Sequence, residues 1–267
     1  MNEERRTLRA QTFDEVAELY DRARRGYPEQ LFDDLFALSE MSPDESQILE
    51  IGCGTGLATR PLARRGCRVV GVEPGPNLAR IARRNTAEFP RVKVVNQRFE
   101  DFDPAGATFD MIFAATSWHW IDPQVRYAKA ASVLKPGGVL AFTWGAHAFP
   151  SGFDPFFSEI QKAYDAIGQS WDGAWPPPPP EQVQDLSEDI ERSGYFEEVR
   201  VARHVWTTDF NAEEHVALMS TASDHRLMEP AKREWLFSEM RRLHNTRPDG
   251  IVRKHELTIL HVARRKP

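Results

Sequence analysis

Cysteine is scarce in this 267-residue chain, which contains only Cys53 and Cys67. Two cysteines are too few for a disulfide framework or a zinc cluster, so no metal site is predicted. Long apolar runs are missing as well, since no stretch reaches the roughly 18 residues that a membrane-spanning helix needs. The first residues, MNEERRTLRAQ, are charged and lack the apolar core of a signal peptide. We therefore expect a cytoplasmic protein with no membrane partner.

An excess of positive charge is the third missing feature. The chain has 34 Lys and Arg against 40 Asp and Glu, a formal net charge of −6. Such a balance gives no broad attraction to phosphates, and no nucleic-acid partner is predicted. Arg80, Arg83 and Arg84 form either a local basic patch or a solvated helix face. With 41% hydrophobic residues the chain can bury a sizeable core, and we expect a monomer or a homodimer.

Short apolar runs alternate with helix-length segments between residues 47 and 144. The predicted strands are 48–52, 68–73, 92–96, 110–115 and 139–144. The predicted helices between them are 57–65, 77–85 and 123–134. Strands that are apolar along their whole length and separated by helices are typical of a parallel sheet covered on both faces.

The flanking regions predict additions to this core. Residues 13–40 have apolar positions at helical spacing and indicate two helices, while residues 197–206 and 257–263 indicate two late strands. The expected fold is α/β, with a doubly wound Rossmann-like sheet, mostly parallel with an antiparallel edge strand, and helices on both faces. N-terminal lid helices and a C-terminal helical substrate cap complete it. The expected divisions of one continuous domain are a lid at 1–40, a cofactor-binding core at 41–146, and cap helices with the last strands at 147–267.

The stretch ILEIGCGTGLATRPLARRG places three glycines on alternate positions after the first predicted strand, at Gly52, Gly54 and Gly56. A strand that turns sharply into a helix needs residues without a side chain, and so does a ligand that approaches the backbone closely. We expect the helix to begin near Gly56, where its unpaired N–H groups favour an anionic group.

Glu73 ends the second predicted strand, about 20 residues after the glycine loop. A carboxylate at that place accepts hydrogen bonds from both ribose hydroxyls, so loop and acid together indicate an adenosine-bearing cofactor. The dinucleotide pattern GxGxxG requires glycine at position 57, and Leu57 stands there. This argues against a nicotinamide oxidoreductase.

The motif EIGCGTG at residues 50–56 resembles the first motif of class I S-adenosylmethionine-dependent methyltransferases, an acid followed by x and GxGxG. The resemblance continues through Glu73, FEDFD at 99–103, FDMIFAATSWHWIDP at 109–123 and LKPGGVLAFTW at 134–144. The flanks FDEVAELYDRARRGYP at 13–28 and STASDHR at 220–226 are similar to a small-molecule branch that includes trans-aconitate-methyltransferase-like proteins. Arg25 departs from the proline of that branch, and Arg98 departs from an Asp common in the superfamily.

The resemblance implies S-adenosylmethionine as cofactor, S-adenosylhomocysteine as product and a set of binding residues. Glu50 would hold the methionine ammonium, Glu73 the ribose, and Phe99 and Glu100 the adenine, one by stacking and one near its amine. Tyr20 and Arg24 would belong to a lid over the cofactor, although Tyr20 also fits the core of an amphipathic helix. The implied cofactor-binding set is Tyr20, Arg24, Glu50, Gly52, Cys53, Gly54, Thr55, Gly56, Glu73, Pro74, Phe99, Glu100 and Ala115.

The cluster SWHW follows the fourth predicted strand, at the sheet edge where doubly wound folds bind ligands. Trp118, His119 and Trp120 form a possible substrate wall, and His119 is the candidate catalytic base. A packing role for His119 stays open, because an anionic methyl acceptor needs no base. His225 and Arg226 are further candidates for the substrate pocket.

Three classes of function follow from these patterns. The first is an enzyme that methylates a small molecule by in-line displacement. The second is a nucleic-acid methyltransferase, against which stand the acidic net charge and the SWHW loop. The third is a protein that binds an adenosyl cofactor without catalysis.

Overall fold

The computed structural model describes residues 3–171, 173 and 175–267. Its strands are β1 (Gln47–Ile51), β2 (Arg68–Glu73), β3 (Val92–Asn96), β4 (Phe109–Ala115), β5 (Leu134–His147), β6 (Phe196–Phe210) and β7 (Val252–Arg265). Its α-helices are α1 (Glu3–Glu15), α2 (Ala17–Ala23), α3 (Glu29–Ser39), α4 (Thr59–Arg64), α5 (Pro76–Asn85), α6 (Arg126–Val133), α7 (Phe156–Ala166), α8 (Ser187–Arg192), α9 (Ala212–Met219), α10 (Ser223–Arg226) and α11 (Pro230–Asn245).

The strands form one sheet in the order β3-β2-β1-β4-β5-β7-β6. Parallel pairing joins β1 to β2 and β4, β2 to β3, and β4 to β5. β7 runs opposite to β5, because Ala148 N donates to His255 O at one end and the Arg265 guanidinium binds Leu134 O at the other. The predicted α/β sheet, mostly parallel with antiparallel pairing at one edge, is confirmed.

Neighbouring residues of each central strand pack on opposite faces of the sheet, which explains the continuous apolar runs. In β1, Leu49 packs with Tyr127 and Ala130 of α6, whereas Ile48 packs with Leu31 and Phe32 of α3. Helices therefore cover both faces, as predicted. The reversal of strand order between β2-β1 and β4-β5 places the carboxyl end of β1 at the point where doubly wound sheets bind ligands.

The chain divides into two compact units. The first contains the described residues up to Gly145, with Asp185–His204 and Thr258–Pro267. The second contains the described residues of Ala146–Gln184 and Val205–Leu257, and its apolar core comes mainly from α7 and α11. Residues 1 and 2 of the predicted lid lie outside the described residues. No helix in the described part of the chain is long and apolar enough to cross a bilayer.

Several boundaries differ from those predicted. Three helices rather than two precede β1, because helical structure already begins at Glu3. The helix after the glycine loop begins at Thr59 and not near Gly56, since residues 54–58 form turns. β5 begins at Leu134, five residues before the predicted start, and its pairing with β4 has an irregular register between Phe109 and Met111.

Candidate functional site

The glycine loop leaves β1 in a left-handed backbone conformation, with φ of +65° at Gly52 and +57° at Gly54. A Cβ on Gly52 would lie 2.7 Å from Cβ of Ser117, so this glycine makes room for the loop after β4. A Cβ on Gly54 would meet no atom within 4 Å. The space where a side chain would stand at Gly54 is therefore open, and a ligand over the loop can approach the backbone there.

Glu73, at the end of β2, accepts hydrogen bonds from two backbone N–H groups, one in the glycine loop and one shortly after β2. Its Oε2 accepts from Gly54 N at 2.9 Å and its Oε1 accepts from Gly75 N at 2.8 Å. The side chain is buried, and burial raises the pKa of Glu73 to about 7 against the lowering effect of these two N–H groups. Each carboxylate oxygen has two acceptor positions, so each retains one for a hydroxyl group of a ligand.

Glu50, in β1, is only 1% exposed. Burial raises the pKa of Glu50 to about 8, the Glu73 carboxylate adds to this, and Thr59 opposes it. The Oε2 atom of Glu50 has no hydrogen-bond partner among the described residues. A buried carboxyl in this situation gains most from a cationic hydrogen-bond donor, and the ammonium of an amino-acid moiety is such a group.

The other predicted loop residues surround these two acids. Cys53 is a buried thiol that packs against β2, where a Cβ on Gly71 would lie 2.9 Å from its Sγ. Thr55 is fully buried and its Oγ1 has no hydrogen-bond partner in the described chain. Gly56 has φ of +88°, and Pro74 is exposed directly after Glu73.

The predicted adenine contacts lie in and beside a short turn after β3. Phe99 is 2% exposed and packs in the sheet core with Lys129 over its ring, and its contact with the adenine stays a prediction. The sequence pattern FEDFD did not distinguish a core ring from a stacking ring. Glu100 is half-buried and its Oε1 accepts from Asp122 N at 3.2 Å. Its contact with a ligand stays a prediction.

The N-terminal helices dock on α5 through a row of acidic residues at helical spacing. Asp14 Oδ1 accepts from the backbone N–H groups of Asn77 and Leu78, at 2.8 and 2.9 Å, and so caps an α5 helix that has no capping side chain of its own. Glu18 lies 3.0 Å from Arg80, and Asp21 lies 3.0 Å from Arg84. Arg80 and Arg84 are thus paired within the chain, which removes them as an open basic patch.

Tyr20 lies in α2 and Arg24 directly follows this helix; the Arg24 guanidinium lies 5.0 Å from the Tyr20 ring centroid. Tyr20 also makes an edge contact with Phe13 at 5.9 Å, within a small apolar group that includes Leu78 and Ile81 of α5. Tyr20 therefore packs against α5 and is half-buried, and its contact with the cofactor stays a prediction.

The SWHW segment separates into a core half and a rim half. Trp118 is 2% exposed and stacks on Phe142 at 5.3 Å, and its role as a substrate-wall residue stays a prediction. Trp120 and His119 remain half-buried and contact each other at 4.6 Å. Burial, with a smaller effect of the Arg126 charge, lowers the pKa of His119 to about 4. His119 is neutral near pH 7 and is a weak base.

Thr116 is a residue of this rim that sequence reasoning missed. It follows Ala115, the half-buried last residue of β4, and has φ of +55°, a rare conformation for a β-branched residue. Its backbone N–H donates to Thr143 Oγ1 at 2.9 Å and its hydroxyl lies 3.1 Å from the Tyr27 hydroxyl. Strain of this kind concentrates at functional sites. No pattern of residue types around Thr116 signals it.

His225 and Arg226 belong to the second unit, in α10. His225 is buried, its Nε2 lies 2.7 Å from the Tyr164 hydroxyl, and its ring stacks on Phe237. Burial lowers the pKa of His225 to about 4. A contact of either residue with a substrate stays a prediction. No group of three or more His, Cys, Asp or Glu side chains in the described residues is placed to hold a metal ion.

Comparison with known proteins agrees with this geometry. The family profile described as a methyltransferase domain matches residues 48–138. An uncharacterized methyltransferase of Mycobacterium tuberculosis is 31% identical over 133 residues, 50% of this chain and 51% of the relative. A ubiquinone biosynthesis O-methyltransferase of Methylobacterium nodulans is 35% identical over 94 residues, 34% of this chain and 38% of the relative. In the first of these matches the chain spans about half the length of the curated relative.

The fold is also similar to that of solved methyltransferase structures. The structure of a putative type II methyltransferase from Anaeromyxobacter dehalogenans superposes with a TM-score of 0.59 at 21% identity, over 90% of this chain and 97% of that one. The matched segment begins in β1, contains Glu50, the glycine loop and Glu73, and ends at the start of β5. The predicted resemblance to class I S-adenosylmethionine-dependent methyltransferases is thus confirmed: residues 48–138 match the methyltransferase-domain profile, and the chain has the fold of the similar methyltransferase structure.

Proposed function

We propose that this chain transfers a methyl group from S-adenosylmethionine to a small-molecule acceptor and releases S-adenosylhomocysteine. The observation that carries the proposal is the pair of buried carboxyls, Glu50 and Glu73, on either side of the open backbone at Gly54. These carboxyls can accept hydrogen bonds, and the ammonium and the ribose hydroxyls of that cofactor are suitable donors for them. When bound, the cofactor supplies a methyl group on a sulfonium, which is already activated for displacement.

The residues of the chain contribute binding and orientation. Glu50 accepts hydrogen bonds from the ammonium, Glu73 accepts from the ribose, and Gly54 leaves room for close approach. Holding donor and acceptor in line supplies a large share of the rate in such a displacement. The low pKa of His119 makes it a poor general base at pH 7, so we infer that an acceptor that needs deprotonation loses its proton to another group or to water.

A small-molecule acceptor is supported by charge and by the rim residues. The net charge of −6 and the internal pairing of Arg80 and Arg84 leave these arginines unsuited to hold a nucleic-acid backbone. The rim after β4 offers Trp120 and His119 side chains, which suit a compact organic ligand. The ubiquinone biosynthesis enzyme named above acts on such a molecule according to its name. Two buried free thiols support the cytoplasmic location.

A thermal-shift series tests the proposal. The purified protein is heated with S-adenosylmethionine, S-adenosylhomocysteine, and the oxidised and reduced nicotinamide dinucleotides. A ligand at 100 times its Kd stabilises by about 2.7 kcal/mol, which raises the unfolding midpoint of a chain of this size by several degrees. We expect a shift with the two sulfur nucleosides alone. A shift with a nicotinamide dinucleotide alone, or none with any ligand, would contradict the proposal. Transfer of a labelled methyl group over a metabolite panel then identifies the acceptor.

A further inference from the structure

Five aromatic rings of the first unit form a continuous series in which each ring contacts the next. We call this series the aromatic row: Tyr20, Phe13, Trp120, His119 and Trp144. The successive ring centroids are 5.9, 5.6, 4.6 and 5.3 Å apart. All five side chains are half-buried, so each ring keeps some surface for another molecule. Rings at these distances make one connected apolar surface.

The aromatic row begins on the N-terminal helices and ends on the central sheet. Trp120 and His119 follow the carboxyl end of β4, and Trp144 lies near the carboxyl end of β5. β4 is the sheet neighbour of β1, which leads into the glycine loop. The row therefore lies at the same sheet edge as the proposed cofactor site, where the methyl acceptor must bind.

The charges around the row are already engaged. Arg24 stacks on the Tyr20 ring at one end. Asp122, two residues after Trp120, lies 3.9 Å from Arg6. Arg126, whose charge lowers the pKa of His119, forms a 2.6 Å ion pair with Asp189. His119 itself is neutral, so the row offers ring faces and no formal charge of its own.

We propose that the aromatic row binds the ring of a flat, uncharged aromatic acceptor such as a phenol; this rests on the proposed methyl transfer and names its substrate class. Ring faces and edges pair favourably with another aromatic ring. A cationic acceptor would be repelled by the Arg24 guanidinium, which already lies over the Tyr20 ring at one end of the row. A dicarboxylate would have to compete with existing partners for the guanidinium groups of Arg6, Arg24 and Arg126.

Binding of four probes to the protein saturated with S-adenosylhomocysteine tests the proposal. The probes are 4-methylphenol, its saturated analogue 4-methylcyclohexanol, and glutarate, with tetramethylammonium as the cationic comparison. We expect 4-methylphenol to bind at least tenfold more tightly than the other three, measured by calorimetry or by quenching of tryptophan fluorescence. Equal binding of the saturated analogue, tighter binding of either charged probe, or no binding of the phenol would overturn the proposal.

Variants then assign the binding to the row. Trp120→Leu should weaken 4-methylphenol at least tenfold, whereas Trp120→Phe, which keeps a ring, should weaken it less than threefold. Trp235→Leu removes a 43% exposed tryptophan of α11 outside the row and should change nothing. The affinity for S-adenosylhomocysteine should stay within twofold in all three. If the unmodified protein does not bind S-adenosylhomocysteine, the proposed function itself is contradicted. If Trp120→Leu binds 4-methylphenol as tightly as the unmodified protein, only the role of the row is contradicted.

Discussion

Two sets of carboxylates in the first unit have the same chemistry and opposite surroundings. Glu50 and Glu73 are buried beside the glycine loop, and burial raises their pKa values to about 8 and about 7. Glu18, on the N-terminal helices, is exposed and receives hydrogen bonds from Arg80 and then Arg84, which lower its pKa. The exposed Glu18 is thus paired with two cations of the chain, Arg80 and Arg84. Among the described residues no cation shifts the pKa of either buried acid, and we infer that a bound cofactor supplies an ammonium to Glu50 and hydroxyl groups to Glu73.

Glu50→Gln is the substitution that should separate the two sets most clearly. It keeps the shape of the side chain and removes its charge, so we expect the affinity for S-adenosylmethionine to fall by about 2–5 kcal/mol, the cost of losing one partner of a buried charge pair. Titration calorimetry measures this directly. Glu45→Gln, at an exposed position shortly before β1, is the matched control and should bind normally. An affinity within twofold of the unmodified protein would remove Glu50 from the site.

Glu73→Ala should have the next largest effect. The substitution removes an acceptor for the ribose hydroxyls, and we expect the cofactor affinity to fall by about 1.5–3 kcal/mol, the range for hydrogen bonds to a charged group. The backbone N–H groups of Gly54 and Gly75 also lose their acceptor, so the unfolding midpoint should fall as well. Unchanged affinity by calorimetry would exclude Glu73 as a ligand.

The stability of the ligand-free protein should depend on pH through the buried set. Between the ordinary carboxyl value of 4.5 and the folded values of about 7 and 8, the folded state binds more protons than the unfolded state. The stability from these two groups is therefore complete below about pH 4.5 and is lost as the pH rises to about 8. We therefore expect the unfolding free energy to fall steadily as the pH rises across this window.

Denaturant titrations at a series of pH values measure this dependence. The slope should be smaller in Glu50→Gln, which has no carboxyl to ionise at that position, than in Glu45→Gln. A stability that falls with pH by the same amount in both variants would show that Glu50 is not the group responsible.

The smallest effect concerns the exposed set. Asp14→Asn weakens the cap of α5, which we expect to cost about 1 kcal/mol and to loosen α1 and α2. Proteolysis of residues 3–23 should accelerate, and added salt should accelerate it further because the neighbouring pairs Glu18–Arg80 and Asp21–Arg84 are exposed to screening.

Asp101→Asn, at an exposed position, is the control for this experiment. If the N-terminal helices cover the cofactor, as the sequence predicts, then bound S-adenosylhomocysteine should slow the cleavage. Equal cleavage rates with and without that ligand would count against a lid.

Much of the central fold could be predicted because strand and glycine patterns are local. The bounds of β2 and β3 match the prediction, and Glu73 ends β2 as expected. Burial was harder to predict, since Trp118 and Trp120 are alike in sequence and differ only in tertiary packing, in which Trp118 contacts Tyr127 and Phe142. Contacts between distant segments left no sequence signal at all. Examples are the Asp14 cap of α5 and the hydroxyl contact between Tyr27 and Thr116.

Proton release on cofactor binding tests the central claim most directly. Calorimetric titration of S-adenosylhomocysteine at pH 7, in two buffers of different ionisation enthalpy, counts the protons exchanged. The account predicts a net release, because Glu50 with a pKa of about 8 must lose its proton to receive an ammonium, and this release should vanish near pH 9. Binding with no proton release at pH 7, or with the same release at both pH values, would contradict it.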